Sequence, residues 1–275
     1  MTTIGLITPG EMGASVGAAA RSSGTTVLWA SKGRSAATVE RAARAGLTDC
    51  VTLEKLITQS DIILSVCPPH NAAEVANEVL AFGFSGLYVE GNAIAPDLTR
   101  QIETAVVNTG ANFVDGGIIG VPAWNADSGT HFYLSGEHAQ TIVDLFDGSK
   151  LKASVISNKI GAASALKMTF AAFTKGSIAL LSAILAVAEK EGVRANLEKQ
   201  WGEEFTHQTH QRVITSTVKA WRFEAEMHEI AATFEGAGLP GGFHKASAQV
   251  FASLAQFKDQ TEPPELTAVI TSMLR

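Results

Sequence analysis

Short apolar runs alternate with longer amphipathic segments through the first half of the chain. The runs that predict β-strands are residues 4–7, 26–30, 61–66, 87–90, 112–114, 132–134 and 154–156. The segments that predict helices between them are residues 35–45, 71–81 and 96–108. Strands that are apolar throughout indicate burial on both faces, which is typical of a parallel sheet covered by helices. We therefore predict a doubly wound, mainly parallel α/β fold whose ligand crevice lies at the carboxyl ends of the strands.

The strand pattern stops at Ile160, and the remainder of the chain predicts helices only. A long helix is expected at residues 161–191, followed by several shorter ones. The predicted organisation is therefore a sheet-containing domain, residues 1–158, and an all-helical domain, residues 159–275, which opens with this long interdomain helix.

The middle of the long helix, residues 178–188, has almost no polar side chains. A helix that is apolar all round is expected to be buried. The run is also shorter than the roughly 20 residues that cross a bilayer, so we interpret it as part of a protein interface or core.

A glycine-containing turn joins the first predicted strand to a helix of small residues. The turn consists of Thr8, Pro9, Gly10, Glu11, Met12 and Gly13. Glycine at position 10 lets the backbone approach a pyrophosphate, glycine at 13 lets the helix pack closely on the strand, and the first N–H groups of the helix face the phosphates. Thr8 replaces the first glycine of the G-x-G-x-x-G pattern, so a purely structural turn is the alternative. Its place in the first strand–helix unit favours a dinucleotide-binding Rossmann domain.

Ser31, Lys32 and Arg34 follow the second predicted strand, where such a domain contacts the adenosine ribose. A carboxylate there selects NAD through the ribose 2′-hydroxyl, whereas a positive group accepts the 2′-phosphate of NADP. The guanidinium of Arg34 suits a phosphate. We therefore predict NADP(H) in preference to NAD(H). The alternative is a solvated basic loop, as expected for the nearby Arg41 and Arg44.

Composition narrows the class of protein. The 275 residues are 46% hydrophobic with a mean hydropathy of +0.15, which suffices for two domains with cores. A net charge of −6 and a pI near 5.7 argue against nucleic acid or an anionic membrane as the main partner. Cys50 and Cys67 lack metal-ligand spacing, so we expect reduced thiols in a cytoplasmic protein, which also opens without a secretory signal. His207 and His210 have no evident third ligand, and no metal is predicted.

The whole chain resembles the β-hydroxyacid dehydrogenase family, which includes 3-hydroxyisobutyrate and 6-phosphogluconate dehydrogenases. The segments that carry this resemblance are residues 4–13, 60–66, 90–92, 112–116 and 161–167. Residues 164–168 and 174–176 resemble a branch with a phosphogluconate-dehydrogenase-like helical C-terminal domain. The resemblance implies hydride transfer to or from a nicotinamide cofactor and a homodimer formed through the C-terminal helices.

Lys167 is the predicted proton-transfer residue. It follows an apolar, small-residue stretch at the start of the long helix, and burial there would favour its neutral amine. The resemblance places the catalytic lysine of the family at this position. The alternative is a lysine whose ammonium extends to solvent from a buried helix.

Asn92 is the second catalytic candidate. It follows the fourth long strand and resembles the Gly-Asn of phosphogluconate dehydrogenases, which lies near the nicotinamide and substrate. An ordinary turn or cap residue is the alternative. Cys67 and Pro68, at the end of the third long strand, are also expected at the cofactor.

The predicted substrate side departs from the family pattern. The Ser-Gly-Gly of the family falls on Ile119, Gly120 and Val121, and its asparagine four residues after the catalytic lysine is Ala171. We therefore expect a pocket that is more apolar than is usual in the family. The further candidates for substrate contact are Thr169, Lys175 and His244.

These observations predict an NADP(H)-dependent oxidoreductase that transfers hydride between the nicotinamide and a hydroxyl or carbonyl carbon of a small molecule. Lys167 would move the proton, while the cofactor carries the redox chemistry. Two alternatives remain open: a non-catalytic NADP(H)-binding or redox-sensing protein, and an imine reductase on the same scaffold.

Overall fold

The computed structural model of the protein describes residues 2–125, 128–258 and 260–274. The chain divides into two compact units, Met1–Lys167 and Met168–Arg275. This division lies within the longest helix, whereas the domain boundary predicted from the sequence lies shortly before that helix.

The first unit is built on an eight-stranded sheet with the order β3-β2-β1-β4-β5-β6-β7-β8. Its strands are β1 (Thr3–Leu6), β2 (Thr26–Trp29), β3 (Thr48–Asp49), β4 (Ile62–Ser65), β5 (Leu87–Glu90), β6 (Asn112–Ile119), β7 (His131–Ser135) and β8 (Lys152–Ser157). Every neighbouring pair is parallel except β6 and β7. The predicted Rossmann-type, mainly parallel sheet is confirmed, and the carboxyl ends of β1, β4, β5 and β6 share one edge.

Helices cover both faces of the sheet. They are α1 (Glu11–Ser22), α2 (Ala36–Arg44), α3 (Leu53–Thr58), α4 (Ala72–Ala81), α5 (Pro96–Val107) and α6 (Ala139–Asp144). Alternate residues of one strand enter different cores: Ile62 and Leu64 pack in one cluster and Ile63 in the other. This two-sided burial is what the uninterrupted apolar strands predicted.

Strand β6 is longer than its sequence predicted, because it continues through two glycines. Gly116 pairs with Leu134 and Gly117 with Tyr133, so the ladder with β7 holds the segment extended. A Cβ on Gly116 would lie 2.5 Å from the Phe132 ring. Cross-strand pairing and close packing thus override the low strand propensity of glycine.

The described residues of the second unit form helices joined by turns and loops, with no strand among them. It contains the greater part of α7 (Ala162–Lys190), followed by α8 (Arg194–Trp201), α9 (Glu203–Thr217), α10 (Ala220–Gly236), α11 (Gly242–Ser253) and α12 (Leu266–Met273). Helices α10 and α11 pack against each other, with the Phe223 and Phe251 rings 5.3 Å apart. The predicted all-helical C-terminal region is confirmed.

The apolar run of α7, residues 178–188, is only partly buried within the single chain. Within this run Leu180 and Val187 are exposed, the latter by 61%, and Phe170 and Phe173 are exposed nearer the start of the same helix. The expectation that the apolar segment is too short to cross a bilayer is also corrected. Helix α7 has 29 residues and a window of mean hydropathy 1.8, so by length and composition alone it could cross a membrane, a test that core helices of soluble proteins also pass.

Candidate cofactor and active site

The turn between β1 and α1 has the geometry of a phosphate cradle. The Gly10 N–H donates to the Thr8 carbonyl at 2.9 Å, and a Cβ on Gly13 would lie only 2.3 Å from that same oxygen. A Cβ on Gly10 would meet no atom within 4 Å, so the outer side of the turn is open. Gly10, the residue that caps α1, makes no side-chain hydrogen bond to the N–H groups of the first turn. These residues fit a dinucleotide pyrophosphate, whose charge the helix start favours.

Two arginines reach this turn. Arg34 Nη2 donates to the Ile7 carbonyl at 3.2 Å, and Arg41 Nε donates to the Pro9 carbonyl at 3.3 Å. Arg41 also lies 3.7 Å from the Glu11 carboxylate. The guanidinium of Arg44 lies 3.7 Å from the centre of the Trp124 ring. The expectation that Arg41 and Arg44 are merely solvated is therefore wrong, and Arg41 adds a positive charge beside the turn that sequence reasoning missed.

The segment after β2, which is predicted to contact the ribose, is joined to the end of β3. The Ser31 N–H donates to Asp49 Oδ1 at 3.2 Å, and the Val51 N–H donates to the same oxygen at 2.8 Å. The Lys32 N–H donates to the Val51 carbonyl at 2.9 Å. Sequence reasoning found no carboxylate in the loop after β2. The structure supplies one from β3, a two-residue strand that the hydrophobic pattern did not predict.

Asn92 joins the carboxyl ends of β4 and β5. It is 3% exposed; its Nδ2 donates to Ser65 Oγ at 3.0 Å, and its Oδ1 accepts the Cys67 N–H. Its own N–H donates to Glu90 Oε1 at 2.9 Å. The side chain thus positions the Cys67–Pro68 segment, in which Cys67 is half-buried and Pro68 is exposed. Burial, as the larger cause, and the nearby Glu90 carboxyl raise the pKa of the Cys67 thiol to about 12. The thiol is therefore protonated at neutral pH.

Glu90 is a fully buried carboxyl beside Asn92. Burial raises its pKa from 4.5 to about 8; the Asn92 N–H opposes this shift and the Asp115 carboxylate adds to it. Among the described residues, Glu90 Oε2 has no hydrogen-bond partner. Glu90 and Asp115 are direct neighbours across β5 and β6, a juxtaposition that a strand pattern cannot reveal.

Asp115 anchors the start of α7. Its Oδ2 accepts the N–H groups of Gly161 and Ala163 at 2.9 Å and that of Ser164 at 3.2 Å, and the Ser135 hydroxyl at 2.8 Å. Its Oδ1 accepts the Ser164 hydroxyl at 2.6 Å. A buried carboxylate from the sheet therefore satisfies the first N–H groups of the helix and interacts favourably with its dipole. The only sequence signal for this role is a lone aspartate in an apolar strand.

Lys167 lies one turn after this anchor, with its stem against β6. A Cβ on Gly117 would be 3.1 Å from Lys167 Cβ and 2.6 Å from the Ala163 carbonyl oxygen, so only glycine permits this approach. Asp115 of β6 pairs with Glu90 of β5. Gly117 lies two residues after Asp115, and Asn92 lies two residues after Glu90. The structure thus brings the Lys167 stem and Asn92 to neighbouring strands at one edge of the sheet, the edge where the glycine turn also begins.

The three residues that replace the Ser-Gly-Gly of the family follow directly on this edge. Ile119 ends β6 and is half-buried, Gly120 has φ +134°, and Val121 is exposed. The Thr130 hydroxyl donates to the Val121 carbonyl. Side chains here are apolar, so a hydroxyl that could hold a substrate carboxylate is missing from these positions.

The substrate candidate Lys175 has a charged partner within the second unit. Lys175 forms an ion pair with Glu226 and lies 5.1 Å from the centre of the Phe223 ring. Thr169 is exposed on α7. Lys175 therefore offers a neutralised rather than a lone positive charge.

His244 is enclosed by aromatic rings within the second unit. The Phe234 and Phe243 rings lie 4.3 and 5.2 Å from its ring, and burial lowers its pKa. In the part of the chain that the structure describes, its Nδ1 has no hydrogen-bond partner.

The histidine pair considered for a metal lies elsewhere in the helical unit. His210 Nε2 is 2.9 Å from Glu198 Oε1, and His207 is exposed. Within residues 2–125, 128–258 and 260–274, no three His, Cys, Asp or Glu side chains are grouped to hold a metal ion.

Comparison with known proteins shows the family to which the chain belongs. Residues 3–147 match the NAD-binding domain of 6-phosphogluconate dehydrogenase, and residues 188–254 match a domain of unknown function. The chain belongs to the 6-phosphogluconate dehydrogenase-like family. The predicted family membership is thereby confirmed.

Among family relatives, an uncharacterised 28.5 kDa protein of Methanothermus fervidus is 30% identical over 203 residues, which are 72% of this chain and 78% of that protein. Two solved structures share the fold. The 3-hydroxyisobutyrate dehydrogenase of Salmonella typhimurium is 17% identical, with 98% of this chain and 99% of that chain covered and a TM-score of 0.71. An imine reductase of Myxococcus stipitatus in complex with NADP+ is 22% identical, with 99% and 100% covered and a TM-score of 0.56. The protein thus has the NAD(P)-binding scaffold that these dehydrogenases and reductases share.

Proposed function

We propose that the protein is a cytoplasmic NADP(H)-dependent oxidoreductase that acts on a small molecule, with Lys167 as the proton-transfer residue. The observation that carries this proposal is the convergence at one sheet edge. The open glycine turn, Asn92 and the Lys167 stem all lie at the carboxyl ends of parallel strands. This edge is where open α/β sheets bind their ligands.

The bound cofactor supplies or accepts hydride, and the chain's own residues provide orientation and the proton. Gly10, Gly13 and the start of α1 would hold the pyrophosphate, and Arg34 would hold a 2′-phosphate. Asn92 fixes the Cys67–Pro68 segment that would line the cofactor. Asp115 keeps the first turn of α7 in place, so the Lys167 amine approaches the reacting oxygen or nitrogen from a fixed stem.

The apolar segment Ile119, Gly120 and Val121 makes imine reduction the second candidate. A hydroxy acid substrate needs a group that binds its carboxylate, and these positions offer no such side chain. An imine or a neutral carbonyl compound has no such requirement. A screen of purified protein with NADPH against hydroxy acids, aldehydes and imines separates these substrate classes. Binding of NADPH without turnover of any of them would favour the non-catalytic alternative.

The cofactor preference gives the first test. We expect NADPH to bind at least about tenfold more tightly than NADH, and Arg34→Ala to remove most of that difference, roughly 1–3 kcal/mol for a charge-assisted contact. Calorimetric titration with both cofactors measures it. Arg21→Ala, at the far end of α1, is the matched control because it removes the same charge away from the turn. Equal affinities for the two cofactors in the wild type would contradict the assignment.

A homodimer through the helical unit is part of the proposal. The exposed Phe173, Leu180 and Val187 recur every seven residues and Phe170 lies one turn before them, so they form a continuous apolar stripe on α7. A second copy would cover this stripe, as the family resemblance implies. We expect light scattering at micromolar concentration to give twice 28.8 kDa, and Val187→Lys to shift the mass toward the monomer. A monomeric wild type would contradict this expectation.

A further inference from the structure

A carboxylate stands beside the predicted 2′-phosphate position. Asp49 ends β3, where it pairs with Trp29 of β2, and its Oδ1 accepts the N–H of Ser31, two residues beyond that strand. Asp49 is exposed, so its charge faces the solvent through which a cofactor approaches.

The backbone around Asp49 is held in a strained conformation. Val51 has φ +71°, a region that β-branched residues rarely occupy. Its N–H donates to Asp49 Oδ1 at 2.8 Å and its carbonyl accepts the Lys32 N–H at 2.9 Å. The strain is thus retained by contacts that tie the β3 end to the segment 31–32. The carboxylate is therefore a positioned group rather than a mobile surface side chain.

The charge of Asp49 is present at neutral pH. Slight burial raises its pKa, but hydrogen bonds from Ser31 and Val51 outweigh this and hold the pKa below the usual 3.8. No lysine or arginine among the described residues forms a salt bridge with it. An ionised carboxylate only accepts hydrogen bonds. The Asp49 carboxylate therefore suits a ribose 2′-hydroxyl, which can donate to it, and repels a phosphate.

We propose that Asp49 is a specificity-determining residue that weakens binding of the 2′-phosphorylated cofactor and favours the free 2′-hydroxyl. This inference rests on the proposed binding of a nicotinamide dinucleotide at the glycine turn. Arg34 would attract the 2′-phosphate and Asp49 would repel it, so the cofactor preference depends on which of the two interactions is stronger. A 2′-phosphate carries up to about two negative charges, and a nearby carboxylate repels it unless salt screens the pair.

The test is Asp49→Asn, measured by calorimetric titration with NADPH and with NADH at 50 mM and 500 mM salt. Asparagine keeps the acceptor oxygen for Ser31 and Val51 and removes the charge. We expect NADPH affinity to rise about three- to tenfold at low salt and NADH affinity to change less than about twofold. The gain should shrink at high salt.

Asp61→Asn is the matched control, because Asp61 is also an exposed aspartate that accepts a backbone N–H, that of Thr3 at 2.9 Å. It lies at the start of β4, at the opposite edge of the sheet from the glycine turn, so its loss should leave the NADPH to NADH ratio unchanged. An equal change for both cofactors in Asp49→Asn, or no change, overturns the inference. A wild type that binds neither cofactor overturns the proposed function itself, a result that is distinct from an unaltered ratio.

Discussion

Replacing Lys167 by methionine is expected to lower kcat about 10²–10⁴-fold while NADPH affinity stays nearly constant. General acid–base groups typically contribute this much, and methionine keeps the apolar stem that packs against Gly117. Because the proposed cofactor contacts are at the β1 turn and the β2 end, loss of the amine should not disturb them. The measurement is steady-state kcat on any substrate found by the screen, with NADPH titration alongside.

Two further variants sharpen this test. Lys167→Arg keeps a positive charge but cannot give up its proton, so it should be nearly as inactive as Lys167→Met. Lys190→Met removes an exposed lysine at the end of the same helix and should leave kcat unchanged. Near-full activity in Lys167→Met would mean that the ammonium only extends to solvent. Activity in Lys167→Arg alone would assign the position an electrostatic role without proton transfer.

The second large effect is expected on stability, through Glu90. Its folded-state pKa is raised to about 8 from 4.5, so between these values the folded protein holds a proton that the unfolded chain has lost. The contribution of this group to the free energy of unfolding is therefore fully present below about pH 4.5. It is lost as the pH rises through 8, at up to about 1.4 kcal/mol per pH unit. Glu90→Gln, which mimics the protonated carboxyl, should remove this slope and be more stable than the wild type at pH 8 by roughly 2–4 kcal/mol.

Urea denaturation at pH 5.5, 7 and 8.5 measures this effect, provided that the m-values of wild type and variant agree. Glutamine retains the oxygen that accepts the Asn92 N–H, so the turn after β5 should persist. Glu74→Gln, on the exposed side of α4, is the control and should run parallel to the wild type at every pH. If Glu90→Gln also runs parallel, the carboxyl is ionised in the folded protein.

Residues that act through their neighbours in sequence could be predicted well. The glycine turn is local, because the needs for a tight bend at Gly10 and for close packing at Gly13 both arise within one strand–helix unit. Lys167 could be proposed from the sequence because the start of α7 carries a recognisable segment. Asp115 and Glu90 were missed as parts of the site, because their roles depend on which strands are neighbours. Arg41 was missed because its partner Pro9 lies 32 residues away.

The sequence by itself determined seven of the eight strands, the mainly parallel sheet buried on both faces, the glycine turn after β1 and the helical C-terminal region. These follow from hydrophobic periodicity and glycine placement, which act over a few residues. Only the tertiary structure decided that Asp49 stands beside Ser31, that Asp115 anchors α7 through three backbone N–H groups, and that α7 leaves an apolar stripe exposed. Each depends on strand register or on the packing of distant segments, where a one-residue shift would exchange the buried and exposed faces.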